Sequence, residues 1–216
     1  MSPPLALTTT RDRDASSRDV EQRARILEAA ENLFRDIGLY KTTVADIARA
    51  LRMSPANVYR FYASKAEIQE AVAVHILKDV ESRVRAIAAG ETTAAQKLRA
   101  IVKSIQAVNA ERLARGGKLH EMVDVALSER WPLVVAHVLR IRGVYTDVIA
   151  QGVARGEFAV SDPAQAAALF QVACVAYVHP RLVGECVDMN LPPVDAMIDM
   201  MIRAWRAPER PQAARD

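Results

Sequence analysis

Cysteine, glycine and aromatic side chains are all scarce in this chain of 216 residues, at 2, 8 and 11 respectively. The two cysteines, Cys174 and Cys186, match no metal-binding or redox spacing and sit among apolar neighbours, so reduced, buried thiols are expected. The 4 histidines are scattered too widely for a metal site. Without a glycine-rich loop there is nothing to cradle a nucleotide phosphate, and no nucleophile motif stands out. Long apolar runs are missing as well. The most apolar stretch, 166–178, is interrupted by Gln171 and falls well short of the ~20 residues that span a bilayer. Met1 to Asp19 mixes Pro, Thr and Ser with balanced Arg/Asp pairs, so no signal peptide is expected. Charge of one sign is also lacking: 29 Lys and Arg against 26 Asp and Glu give a net +3, compatible with nucleic acid but no proof of it. A soluble, cytoplasmic protein without metal or other cofactor is the expectation.

Alanine is what the chain has in abundance, at 38 residues. Ala is the best helix former, and with so little glycine the bias points to an all-α fold. The segment 1–18 lacks hydrophobic periodicity and reads as a disordered arm. From Val20 onward Ile26, Leu27, Ala30, Leu33, Phe34 and Ile37 recur at three- and four-residue steps, one helical stripe that Gly38 ends. Thr43 and Asp46 form a capping box for a short helix carrying Val44, Ile47, Ala48 and Leu51. Ser54-Pro55 then sets a cap and a first-turn proline for a third helix through Val58 and Tyr62. Ser64 to Glu67 reads as another capping box, opening a long helix to about Ala89. Two short helices across a tight gap, behind one longer helix, make a helix-turn-helix layout.

Helical signals continue to the end. Segments are expected from Thr93 to about Arg115, around Leu119 to Ala126, from Trp131-Pro132 to a stop at Gly156, from Asp162-Pro163 to about 186, and from Pro192-Pro193 to Trp205. That makes about nine helices and no convincing strand. The expected division is an arm at 1–18, a helix-turn-helix domain at 19–65, a helical body at 66–206, and a polar tail at 207–216.

Charge separates along this division. Residues 1–65 hold 11 basic and 8 acidic side chains, whereas 66–216 hold 18 of each. The whole excess lies in the head. With Val58 and Tyr62 inward, Pro55, Ala56, Asn57, Tyr59 and Arg60 face outward or to the flank. Small residues there allow approach to base edges; Asn57 suits adenine and Arg60 guanine. Tyr59 and Lys65 can reach phosphate oxygens. Phe61 and Tyr62 read as core.

The runs Ile26-Leu27-Glu28-Ala29-Ala30, Leu33-Phe34, Thr42 to Ala48 and Ser54 to Lys65 resemble the TetR family of bacterial transcriptional regulators over about 45 residues. The resemblance implies an all-helical homodimer that binds a palindromic operator as a repressor and is released by a small molecule. By position it makes Thr43, Tyr59 and Lys65 phosphate contacts, and Ala45, Pro55, Ala56, Asn57 and Arg60 residues that approach bases. Arg52 stands where the family often has glycine, which implies a left-handed residue or a further phosphate contact. Phe61 stands where His is frequent.

The body is less legible. The resemblance implies that the last two long helices, about 163–186 and 192–206, pair with a second copy. Phe170, Val172, Ala173, Val175, Ala176, Met197, Met200 and Met201 suit that role or an ordinary core equally well. Candidate effector contacts are His120, Trp131, His137, Tyr145, Cys174, Tyr177 and His179, each of which satisfied core packing also explains. His179-Pro180 should kink the helix or unwind a turn. Two other readings stand beside the regulator: an all-α enzyme, and a protein-interaction adaptor whose helix-turn-helix does not function.

Overall fold

The computed structural model describes residues 10–114, 132–185 and 190–206. Every regular element among them is a helix: α1 Thr10–Asp36, α2 Val44–Ala50, α3 Pro55–Tyr59, α4 Lys65–Ala89, α5 Ala94–Ala114, α6 Pro132–Ala154, α7 Pro163–Val178, α8 Pro180–Glu185 and α9 Val194–Trp205. The helix expected around Leu119 to Ala126, together with His120, Trp131 and Cys186, lies outside the described residues. The chain divides into two compact units, Met1–His75 and Ile76–Asp216.

The first unit follows its capping chemistry closely. Thr43 accepts the Asp46 N–H and the Asp46 carboxylate takes the Thr43 N–H in return, closing the expected box. Ser54 accepts the Asn57 N–H, with Pro55 behind it. At α4 the Ser64 hydroxyl caps Glu67, but the Glu67 carboxylate bonds the Ala63 N–H, one residue earlier than a capping box places it. Helix α1 starts at Thr10, inside the segment that lacks hydrophobic periodicity. Its stripe buries Ile26, Ala30 and Phe34 completely. Ile37 is exposed instead of buried, although its N–H still bonds the Leu33 carbonyl at 2.8 Å in helical fashion; Leu39, beyond the Gly38 turn, fills the core in its place. Ile47, Ala48, Val58 and Ile68 complete this core, with Tyr62 and Phe61 also buried. Thr42 ties the turn down by donating its hydroxyl to the Gly38 carbonyl at 2.8 Å.

In the second unit α5, α6, α7 and α9 pack around one apolar core with the end of α4. Its centre is aromatic: Tyr145 meets Phe170 edge-on at 5.1 Å, and Trp205 lies 5.9 Å from both Phe158 and Phe170. Helix α6 ends at Ala154, and the turn that follows contains Gly156, whose positive φ of 72° suits a residue without a side chain. Gly152 is required by closeness: a Cβ there would lie 2.4 Å from the Phe158 ring. The helix expected at 163–186 is broken in two. His179 is extended, with φ −75° and ψ 123°, and Pro180 opens α8. The carbonyl of Val178 at the break accepts a 2.6 Å bond from the buried Asn109 amide of α5.

Candidate nucleic-acid interface

Helix α3 is only 5 residues long and stands because α2 packs against it. Val58 is its anchor, fully buried. The remainder of the helix faces out: Pro55, Ala56 and Arg60 are exposed, Tyr59 is half exposed, and Asn57 lies on the flank. Thr43, Ala45 and Arg52 are exposed on α2 and its turn, and Lys65 is half-buried at the start of α4. The residues expected to meet DNA are therefore accessible within one unit.

Arg52 holds the left-handed conformation, with φ 54°. The bonds around it explain why. Arg52 N–H reaches the Arg49 carbonyl at 3.1 Å and Met53 N–H the Ala48 carbonyl at 2.9 Å, the pair that closes a helix end when the intervening residue is left-handed. The tight helix-to-helix turn needs this conformation, and a non-glycine residue there costs about 1–2 kcal/mol.

Asp46 is a hub. Its carboxylate accepts from the Thr43 N–H at 2.9 Å, the Thr43 hydroxyl at 2.6 Å and Arg49 at 2.8 Å. The Thr43 hydroxyl and backbone bonds hold its pKa below the ordinary carboxylate value, with Arg49 adding to the effect. Both Thr43 donors are thus engaged within the protein. Lys65 Nζ donates a hydrogen bond to the Tyr40 carbonyl at 3.3 Å, and burial pushes its pKa down. Tyr40, 71% exposed, is a surface aromatic that hydrophobic periodicity passed over, because it lies in a turn.

The Arg60 guanidinium makes two contacts. Its Nη1 donates to Asn57 Oδ1 at 3.3 Å, and it lies over the Phe61 ring at 5.5 Å. Phe61 is itself buried, in keeping with its reading as core.

The body's candidate residues are brought together only in part. Tyr145 and Cys174 are both core residues, and burial raises both groups, Cys174 to about 12. His137 is not a free polar group: its Nδ1 sits 2.8 Å from the buried Glu81, which also accepts from Arg140 at 2.8 Å and Arg85 at 3.3 Å. Burial holds the imidazole pKa down, against the pull of Glu81. Tyr177 donates to the Pro192 carbonyl at 2.9 Å. His179 marks the helix break. Glu81 escaped the sequence reading because an acid on a helix ordinarily faces water.

Among the interface candidates Phe170 requires correction. It is fully buried within its own chain, locked between Tyr145 and Trp205, and does not reach a surface. Val172, Val175 and Met200 are exposed, while Ala173, Ala176, Met197 and Met201 are half-buried. Leu169, 60% exposed on the same side of α7, was missed. Among the described residues no cluster of His, Cys, Asp and Glu could hold a metal, and no helix is long and apolar enough to cross a membrane.

A buried-core helix-turn-helix joined to a helical body defines a class, the helical DNA-binding regulators. Residues 26–72 match the family model for bacterial regulatory proteins of the tetR family, and 94–193 match the tetracyclin repressor-like C-terminal domain. The chain is 28% identical over 159 residues to the HTH-type transcriptional repressor KstR2 of Rhodococcus jostii (strain RHA1), covering 73% of this chain and 74% of that one. The fold is shared with a TetR-family regulator from Mesorhizobium loti at TM-score 0.65 and 16% identity, over 88% of this chain and 99% of that one. It is shared also with the ketosteroid transcriptional regulator KstR2 of Mycobacterium tuberculosis, at TM-score 0.51 and 19% identity, over 87% and 96%. The chain belongs to the TetR family of transcriptional regulators and binds DNA through its N-terminal helix-turn-helix.

Proposed function

We propose that this protein is a cytoplasmic repressor that binds a palindromic operator as a homodimer and is released by a small molecule. The observation that carries this reading is the outward face of α3: small residues at Pro55 and Ala56, polar Asn57 and Arg60 beside them, all held by one buried anchor, Val58. Such a helix can lie in a major groove with its first turn against base edges. Arg60 reads guanine, Ala45, Pro55 and Ala56 line the approach, and Tyr59, Arg52 and Lys65 hold phosphates. Thr43 contributes through the capping box that sets the angle of α2.

The second copy docks on α7 and α9, where Leu169, Val172, Val175 and Met200 expose apolar side chains. Ala173, Ala176, Met197 and Met201 flank them. The effector site belongs to the helical body, with His137, Tyr177 and His179 as its polar candidates. Tyr145 and Cys174 support it from the core.

Gel retardation of DNA from around the protein's own gene tests this at low salt and then at rising salt. Retention is expected, with affinity falling steeply as salt rises, because bound Lys and Arg release counterions. Titrating small molecules, a ketosteroid among them after the name of the Mycobacterium tuberculosis relative, should free the fragment for one compound class. A chain that retards no fragment at any salt would instead support the adaptor reading.

A further inference from the structure

Asn57 and Arg60 look like two independent base readers, one for adenine and one for guanine, and the geometry joins them into one. Arg60 Nη1 donates to Asn57 Oδ1 at 3.3 Å. The orientation of the amide follows from chemistry: a guanidinium has only donors, so the oxygen end of Asn57 must face it. Reading adenine needs both ends of that amide, the oxygen for N6–H2 and the NH2 for N7. One of the oxygen's two lone pairs is already given to Arg60, and that contact sets which way the amide faces before DNA arrives. The guanidinium for its part gives Asn57 one of its five N–H groups, which leaves enough for the paired bonds to guanine O6 and N7.

The other side of the guanidinium is held too. It lies 5.5 Å from the centre of the Phe61 ring. Phe61 is buried and Asn57 is half-buried at the N-terminal turn of α3, with its N–H bonded to the Ser54 hydroxyl. Both supports are thus fixed to the core or the cap, whereas the Arg60 side chain on its own would be a long, flexible rod at the surface. Holding it before DNA arrives lowers the ordering cost of forming the base contact.

We propose that Asn57 is a positioning residue, which aims Arg60 at a guanine and reads no base itself. This rests on the DNA-binding reading above. The test uses the full chain and a randomised double-stranded DNA library, with bound fragments sequenced for wild type, Asn57→Ala, Arg60→Ala and the double variant. Arg60→Ala should abolish preference for guanine at one position of each half-site. Asn57→Ala should weaken preference at that same position, on the order of tenfold, and add nothing in the Arg60→Ala background. The salt dependence should stay at the wild-type slope for Asn57→Ala, since no phosphate contact is lost. Loss of preference at a different position, additive loss in the double variant, or an unchanged profile for Asn57→Ala would each overturn the proposal. A wild-type chain that selects no sequence at all would overturn the regulator reading and the proposal with it. The two failures are therefore distinguishable.

Discussion

Arg52 serves two masters. Its left-handed backbone, at φ 54°, strains the turn between α2 and α3, while its exposed side chain sits where a phosphate contact is proposed. Arg52→Gly separates the two. Stability should rise by about 1 kcal/mol as strain is relieved. DNA affinity should fall, with the salt slope lower by about one unit. Thermal melts and salt titrations read these effects separately, and a variant that lost stability would remove the strain argument. Gly152 makes the opposite case. Gly152→Ala would drive a methyl group into the Phe158 ring 2.4 Å away and should cost about 1–3 kcal/mol in a denaturant melt. The strain at Arg52 was legible as a residue standing where a glycine suits the backbone. The need at Gly152 was not, because Phe158 reaches it from outside the helix.

Elements were legible where their signals are local. Caps and first-turn prolines marked the starts of α2, α3 and α7, and Pro180 marked the break after α7. Each signal acts within four residues, so one chain suffices to show it. Thr43→Ala should destabilise the head by about 1 kcal/mol, since the capping box at α2 is complete. The single N-cap bond at α3 predicts a similar or smaller loss for Ser54→Ala. Partners distant in sequence were hidden. Asn109 of α5 meets the Val178 carbonyl across 69 positions, and only the fold brings them together. Replacing it by Leu should cost about 1–3 kcal/mol, because the partly buried carbonyl at the helix break would lose its donor. Hydrogen exchange slowed rather than quickened around Val178 in that variant would contradict this role.

At the scale of the whole molecule two expectations concern assembly and pH. Val172 and Met200 are 66% and 60% exposed. Val172→Asp together with Met200→Asp should convert dimer to monomer in analytical ultracentrifugation and lower operator affinity about 100-fold or more, because the two heads would no longer bind as one. A dimer of unchanged mass would place the interface elsewhere. The proposed docking face is only half readable in the sequence, which marks residues as apolar without saying which are buried within the chain; Phe170 is fully buried and Val172, two positions on, is 66% exposed. The pH dependence follows from His137. Burial keeps its folded pKa below the ordinary 6.5, so beneath that value the unfolded chain takes up more protons than the folded one. Stability should therefore fall as pH drops through this window, and His137→Gln should flatten the thermal midpoint there. Glu81 adds a further loss only at lower pH: burial works to raise its pKa, but bonds from His137 and Arg140 outweigh it and hold the group below its ordinary 4.5.

Asp46 and the placement of the histidines have a further consequence for how the two halves sense their surroundings. All 4 histidines of the chain lie beyond residue 65, and the head's most engaged carboxylate is held ionised by Thr43 and Arg49. The first 65 residues contain no histidine and no cysteine, the side chains whose ordinary pKa values lie nearest neutrality. An acid response in DNA binding that runs through histidine therefore has to arise in the body and be relayed to the head.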